Sequence, residues 1–100
     1  AAVMAGKALA ITQCVQSQFY CGFTLLDSQA DIAIWKPRID AALAARGLPA
    51  DADHEFNSLF FCSDPNTVVL DEYCFDQPSF RCQPSSAAGC GSGVTKNDCC

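Results

Sequence analysis

Apolar residues recur at helical spacing in one long stretch of this chain, Asp31 to Arg46. Ile32, Trp35, Ile39 and Leu43 stand three or four apart, so a helix would carry them on one face. Lys36, Arg38, Asp40 and Arg46 fall mostly elsewhere. Gly47 suits the left-handed residue that ends a helix, and Pro49 stands where a helix cannot continue. Pro37 interrupts the pattern. Its missing N–H is harmless only in a first turn, so the spacing predicts a regular helix from near Ile34, or a separate kinked turn over Asp31 to Ile34.

The rest of the pattern favours strands and turns. Residues 14–26 are rich in aromatic and β-favouring side chains, which predicts a strand near Gln18 to Phe23. Gly22 inside it signals a bulge or a close backbone approach. Asp27 and Ser28 can cap the turn leading into the helix. Leu48 to Glu55 reads as a polar connection. Asn57 to Cys62 and Thr67 to Phe75 read as an antiparallel hairpin around Ser63-Asp64-Pro65-Asn66. A turn centred between Pro65 and Asn66 sets Cys62 opposite about Val69, which disfavours a direct Cys62–Cys74 bridge. Phe80 to Cys82 can add a short edge strand. The pattern implies an α+β domain: one main helix packed on a small antiparallel sheet of three or four strands. Its expected core is Trp35, Ile39, Leu43, Leu59, Phe61, Val69 and Leu25.

Cysteine usage adds the scaffold. One hundred residues make one domain, 1–100, too short to bury a large core. Eight cysteines, Cys14, Cys21, Cys62, Cys74, Cys82, Cys90, Cys99 and Cys100, read as a disulfide framework formed in an oxidising, extracellular compartment. The gaps between neighbours are 6, 40, 11, 7, 7, 8 and 0 residues, and none is the two-to-four-residue gap of a zinc knuckle. With all eight thiols oxidised, no metal, cofactor or cysteine nucleophile is expected. Cys14 and Cys21 would face opposite sides of one strand, so they should tie to different partners unless the chain turns at Gln16 to Gln18. The adjacent Cys99 and Cys100 should each reach a different partner, pinning a tail rich in Pro, Ser and Gly. Residues 1–12, apolar and small, read as a loose arm at a processed, mature N-terminus. No segment is long enough to span a bilayer.

The net charge of −5 is unevenly spread. Residues 48–80 hold Asp51, Asp53, Glu55, Asp64, Asp71, Glu72 and Asp76 with no Lys or Arg. An acidic face argues against a nucleic-acid partner and against a cationic membrane-disrupting peptide. Acids also keep a small protein dissolved.

His54 is the only imidazole, set between Asp53 and Glu55. It can serve as a general acid or base, or simply order the loop before the hairpin. Two-histidine hydrolysis is excluded by count, and no serine carries a local triad motif. Asp51, Asp53 and Glu55 alternate, which invites a calcium site, but an EF-hand would need Gly and Glu where Phe56 and Cys62 stand, leaving only a loose surface site as a minor alternative. Gly89-Cys90-Gly91-Ser92-Gly93 lacks the Lys-Ser or Lys-Thr ending of a phosphate loop. Phe75 or Phe80 can anchor a partner or fill the core.

Tyr20-Cys21-Gly22, Thr24-Leu25-Leu26, the helix, Asp53-His54, Asn57-Ser58-Leu59-Phe60, Cys62, Gly91-Ser92-Gly93 and the ending Asp98-Cys99-Cys100 together resemble a group of small secreted cysteine-rich proteins of filamentous fungi. Such proteins are called candidate effectors, and some share architecture with killer toxins. Pro37, the terminal doublet and residues 76–89 depart from that pattern. The resemblance implies a secreted role at a host or microbial interface and supplies no catalytic residues. Residues and resemblance together suggest a monomeric, non-enzymatic protein that acts by binding a protein or cell-surface target. Two alternatives remain: a small ribonuclease-like hydrolase using His54, and a protease inhibitor or defence protein presenting a loop between Asp76 and Gly89.

Overall fold

A computed structural model describes residues 12–74, 81–84, 90 and 97–100. The elements in order are β1 (Phe19–Cys21), α1 (Gly22–Leu25), α2 (Gln29–Ala45), α3 (Ala52–Phe56), β2 (Ser58–Asp64) and β3 (Thr67–Tyr73). The strands form one antiparallel sheet in the order β1-β2-β3, and α2 is the dominant helix. The fold is therefore α+β, with three strands. The arm 1–11, Phe75, Phe80 and nearly all of the glycine run lie outside the described residues, as does most of the expected loop 76–89.

Helix α2 starts earlier than expected. Ser28 takes the extended cap conformation and its Oγ accepts from Asp31 N at 3.2 Å. The helix then runs on through Pro37, its ninth residue. A residue at 37 would normally donate to the carbonyl of Ala33. Both Ala33 and Pro37 face solvent, so water can reach the carbonyl left without a donor. The opposite face is fixed by packing, which outweighs local propensity. That face buries Asp31, Trp35, Ile39, Ala42 and Leu43, with Ile32 only half-buried. Gly47, at φ 73°, ends the helix as the sequence suggests, its N–H donating to Ala44 O at 3.0 Å.

Strand β1 is shorter than expected because the chain coils into α1 at Gly22. The polar connection contains α3, capped by Asp51. A five-residue helix offers too few positions for a periodic signal. The hairpin forms with Pro65 and Asn66 as its two-residue turn. An irregularity between Cys62 and Asp64 moves the register by one, so Cys62 stands opposite Val68 rather than Val69.

The sheet has two apolar faces. Phe60, Cys62, Val68 and Leu70 join Leu25, Leu26 and the α2 stripe in the main core. Cys21 and Leu59 pack with Cys74 and Cys82 in a second cluster, flanked by Phe19, Phe23 and Cys100. Leu25, Trp35, Ile39, Leu43 and Leu59 are buried as expected. Phe61 and Val69 are not core residues. They pair across the strands, Phe61 is half-buried with its ring 5.0 Å from Phe19, and Val69 is 45% exposed. Strand side chains alternate faces, and the unbroken run Leu59-Phe60-Phe61 does not say which parity points inward.

The disulfides are Cys14–Cys62, Cys21–Cys82, Cys74–Cys100 and Cys90–Cys99. Cys14 and Cys21 reach different partners although the chain does turn between them, with Ser17 at φ 73° and Gln18 N donating to Val15 O. The terminal doublet splits in the same way. The tail is stitched to the free edge of β1. Phe19 N donates to Asn97 Oδ1 at 2.9 Å, Asp98 N to Phe19 O at 3.0 Å, and Cys21 N to Asp98 Oδ2 at 2.8 Å. Gln83 and Cys99 form an isolated antiparallel bridge; of the edge strand expected over Phe80 to Cys82, Phe80 lies outside the described residues and Arg81 and Cys82 are not in a strand. A sheet edge is thereby closed.

Candidate functional site

His54 sits in α3, where Asp51 serves it twice. Asp51 Oδ1 accepts from His54 N at 2.9 Å, which caps the helix, and lies 2.7 Å from His54 Nδ1, which fixes the ring. The backbone N–H bond from His54, then the ring bond, hold the Asp51 carboxyl below its ordinary 3.8. The ring stacks on Tyr73, with centroids 4.0 Å apart. An acid–imidazole pair therefore exists, but with Asp51 rather than the adjacent Asp53 or Glu55. Asp53 instead accepts from Asn57 at the other end of the helix. These contacts tie α3 to the end of β3, an ordering role that accounts for every described contact of His54.

Glu55 points the other way, into a cluster under α2. It is 6% exposed, and Lys36 Nζ lies 2.7 Å from its Oε2 and 3.0 Å from Asp40 Oδ2. Burial pushes the Glu55 carboxyl above its ordinary 4.5, a hydrogen bond with Asp40 adds to that, and Lys36 opposes it. The buried Asp40 Oδ1 has no donor among the described residues. Asp51, Asp53 and Glu55 thus serve three different partners. Asp51 is spent on capping the helix, and Asp53 and Glu55, two apart within it, point to opposite sides, which is why their sequence alternation does not make a cage. Among the described residues no group of three or more His, Cys, Asp or Glu could hold a metal ion. No described helix is long and apolar enough to cross a membrane.

The open apolar feature lies between α2 and β3. Arg38, Ala41, Ala42 and Ala45 form one wall and Asn66, Thr67, Val68 and Val69 the other, around a groove of about 310 Å³. Three alanines keep that side of the helix low, so nothing large fills the space toward the strand. The Arg38 guanidinium lies 4.6 Å from the Trp35 ring centre and reaches Thr12 O at 3.5 Å. Further along, Arg46 Nη1 donates to Leu70 O at 2.7 Å, closing that part of the β3 edge. Sequence reasoning missed this groove. Alanines in a helix signal only propensity, and their apposition to residues 66–69 depends on how the helix crosses the hairpin. The chain matches no family model, no curated protein and no solved structure.

Proposed function

We propose that this is a secreted, non-enzymatic protein that acts by binding, as an effector or killer-toxin-like molecule at a host or microbial surface. The observation that carries the reading is an apolar groove between a helix and a hairpin that disulfides anchor at Cys62 and, just past β3, at Cys74. A braced groove loses little entropy on meeting a partner, which suits recognition. Eight cysteines paired in four bridges support an oxidising compartment. The resemblance to small fungal secreted proteins supports the interface role. The commitment of His54 to Asp51 and Tyr73 favours a structural histidine over a hydrolytic one.

The test has two arms. Labelled oxidised protein should be retained saturably on intact host or microbial cells, and reduced protein should not. The same preparation should leave RNA, glycan and peptide substrates intact. Turnover that disappears in a folded His54→Ala variant would overturn the proposal in favour of a hydrolase.

A further inference from the structure

We infer that the groove between α2 and β3 receives an extended segment of a partner protein, taking one apolar side chain into the groove and pairing an adjacent carboxylate with Arg38. This deepens the binding function proposed above and rests on it. Size sets the first limit. Small-molecule pockets run from roughly 300 to 1,000 Å³, so a groove of about 310 Å³ stands at the bottom of that range, with room for one large side chain. The lining sets the second. Alanine methyls and the strand at Val68 and Val69 offer contact to an apolar group, with Asn66 and Thr67 at one end.

Charge sets the third limit. Among the described residues Arg38 is the only charged one that lines the groove, on a chain of net charge −5. Among the described residues it has no carboxylate partner: its contacts are the Trp35 face and a long bond to Thr12 O. Resting on Trp35 holds the guanidinium in place, and its fork matches a carboxylate. A nucleic-acid partner would need many such cations, and the acidic balance disfavours one. The backbone favours an extended partner. Leu70 turns its carbonyl outward to Arg46. By the alternation of an antiparallel edge, Val68 turns its own backbone groups the same way, beside the groove.

The experiment is a titration of the oxidised, isotope-labelled protein, followed by backbone amide spectra. The probe is the blocked peptide acetyl-Ser-Phe-Glu-Ser-amide, with one control replacing Glu by Gln and one replacing Phe by Ala. Shifts should cluster at Ala41, Ala45, Thr67 and Val69. Each control peptide should bind about ten-fold more weakly, the loss of one charge-assisted contact or one buried side chain. These swaps leave the protein untouched, so folding cannot confuse them. Arg38→Gln should weaken the Glu peptide to the level of the Gln peptide, and Arg38→Glu should prefer a peptide with Lys in place of Glu. Absence of shifts at millimolar peptide, shifts away from the groove, or equal binding of Glu and Gln peptides would overturn the inference. Unchanged cell retention by Arg38→Gln would overturn the groove and leave the binding function standing. Hydrolysis of a substrate would overturn that function and not the peptide result.

Discussion

Gly22 lies flush against the carbonyl oxygen of Glu55: a methyl group at position 22 would collide with that oxygen. The sequence marks Gly22 as a bulge or a close approach, and the close approach is what the fold uses, where α1 meets α3. The obstructing atom is backbone, so it cannot rotate away. Gly22→Ala should therefore destabilise the oxidised protein by about 3 kcal/mol, the upper end of ordinary overpacking costs. Denaturant unfolding without reductant measures it. A loss below half a kilocalorie would show that the contact is slack.

The Lys36–Asp40–Glu55 cluster makes stability depend on pH in a stated direction. The folded-state value of Glu55 is raised above 4.5, so the folded protein holds this proton more tightly than the unfolded chain. Its contribution is then fully present below about 4.5 and is lost as pH rises through the raised value. Asp51 acts oppositely and lower down: its lowered value gives stability above 3.8 that disappears as pH falls through the folded value. Glu55→Gln should flatten the upper dependence and leave the acid limb in place. Unfolding curves from pH 3 to 8 for both proteins check this. Identical slopes above 4.5 would contradict it.

Asp98 fastens the tail to the sheet. It is 7% exposed, and its Oδ2 accepts from Cys21 N at 2.8 Å and from Thr24 Oγ1 at 2.7 Å. Asp98→Ala leaves two donors without that acceptor and should cost about 3 kcal/mol. Amide exchange should accelerate at Cys21 first, because its N–H loses its acceptor. Exchange that speeds only elsewhere would place the latch in the disulfides instead.

Pro37 offers a test in the stabilising direction. Replacing it by Ala restores a donor for the Ala33 carbonyl and removes the ring's clash with the preceding turn. Part of the gain is offset by a looser unfolded chain, leaving about 2 kcal/mol of added stability. Thermal unfolding of the oxidised variant measures it. A destabilised variant would mean that the stiffness proline gives the unfolded chain outweighs the missing bond.

Much of this molecule is legible in the order of its residues. The helix face, Gly47 as its stop and the hairpin about Pro65-Asn66 all follow from period, cap and turn chemistry acting over a few residues. So does the separation of Cys99 from Cys100. Other features depend on neighbours distant along the chain. Phe60 rather than Phe61 faces the helix because the register with β3 chooses one parity. Pro37 stays inside α2 because its side of the helix meets water while Trp35, Ile39 and Leu43 are held by the sheet. Asp51 rather than Asp53 fixes the His54 ring because α3 forms there.

The candidate site is the least legible part. Arg38 and the three alanines become a groove only when α2 crosses beside residues 66–69, a relationship no local pattern encodes. What the sequence by itself determined were the properties set by a residue and its nearest neighbours: helix, hairpin, oxidation and charge. Only the tertiary structure decided which apolar face is covered, which cysteines meet and which cation faces open space. Those outcomes come from packing between segments far apart in the chain, where burial and steric fit outweigh each segment's own preference.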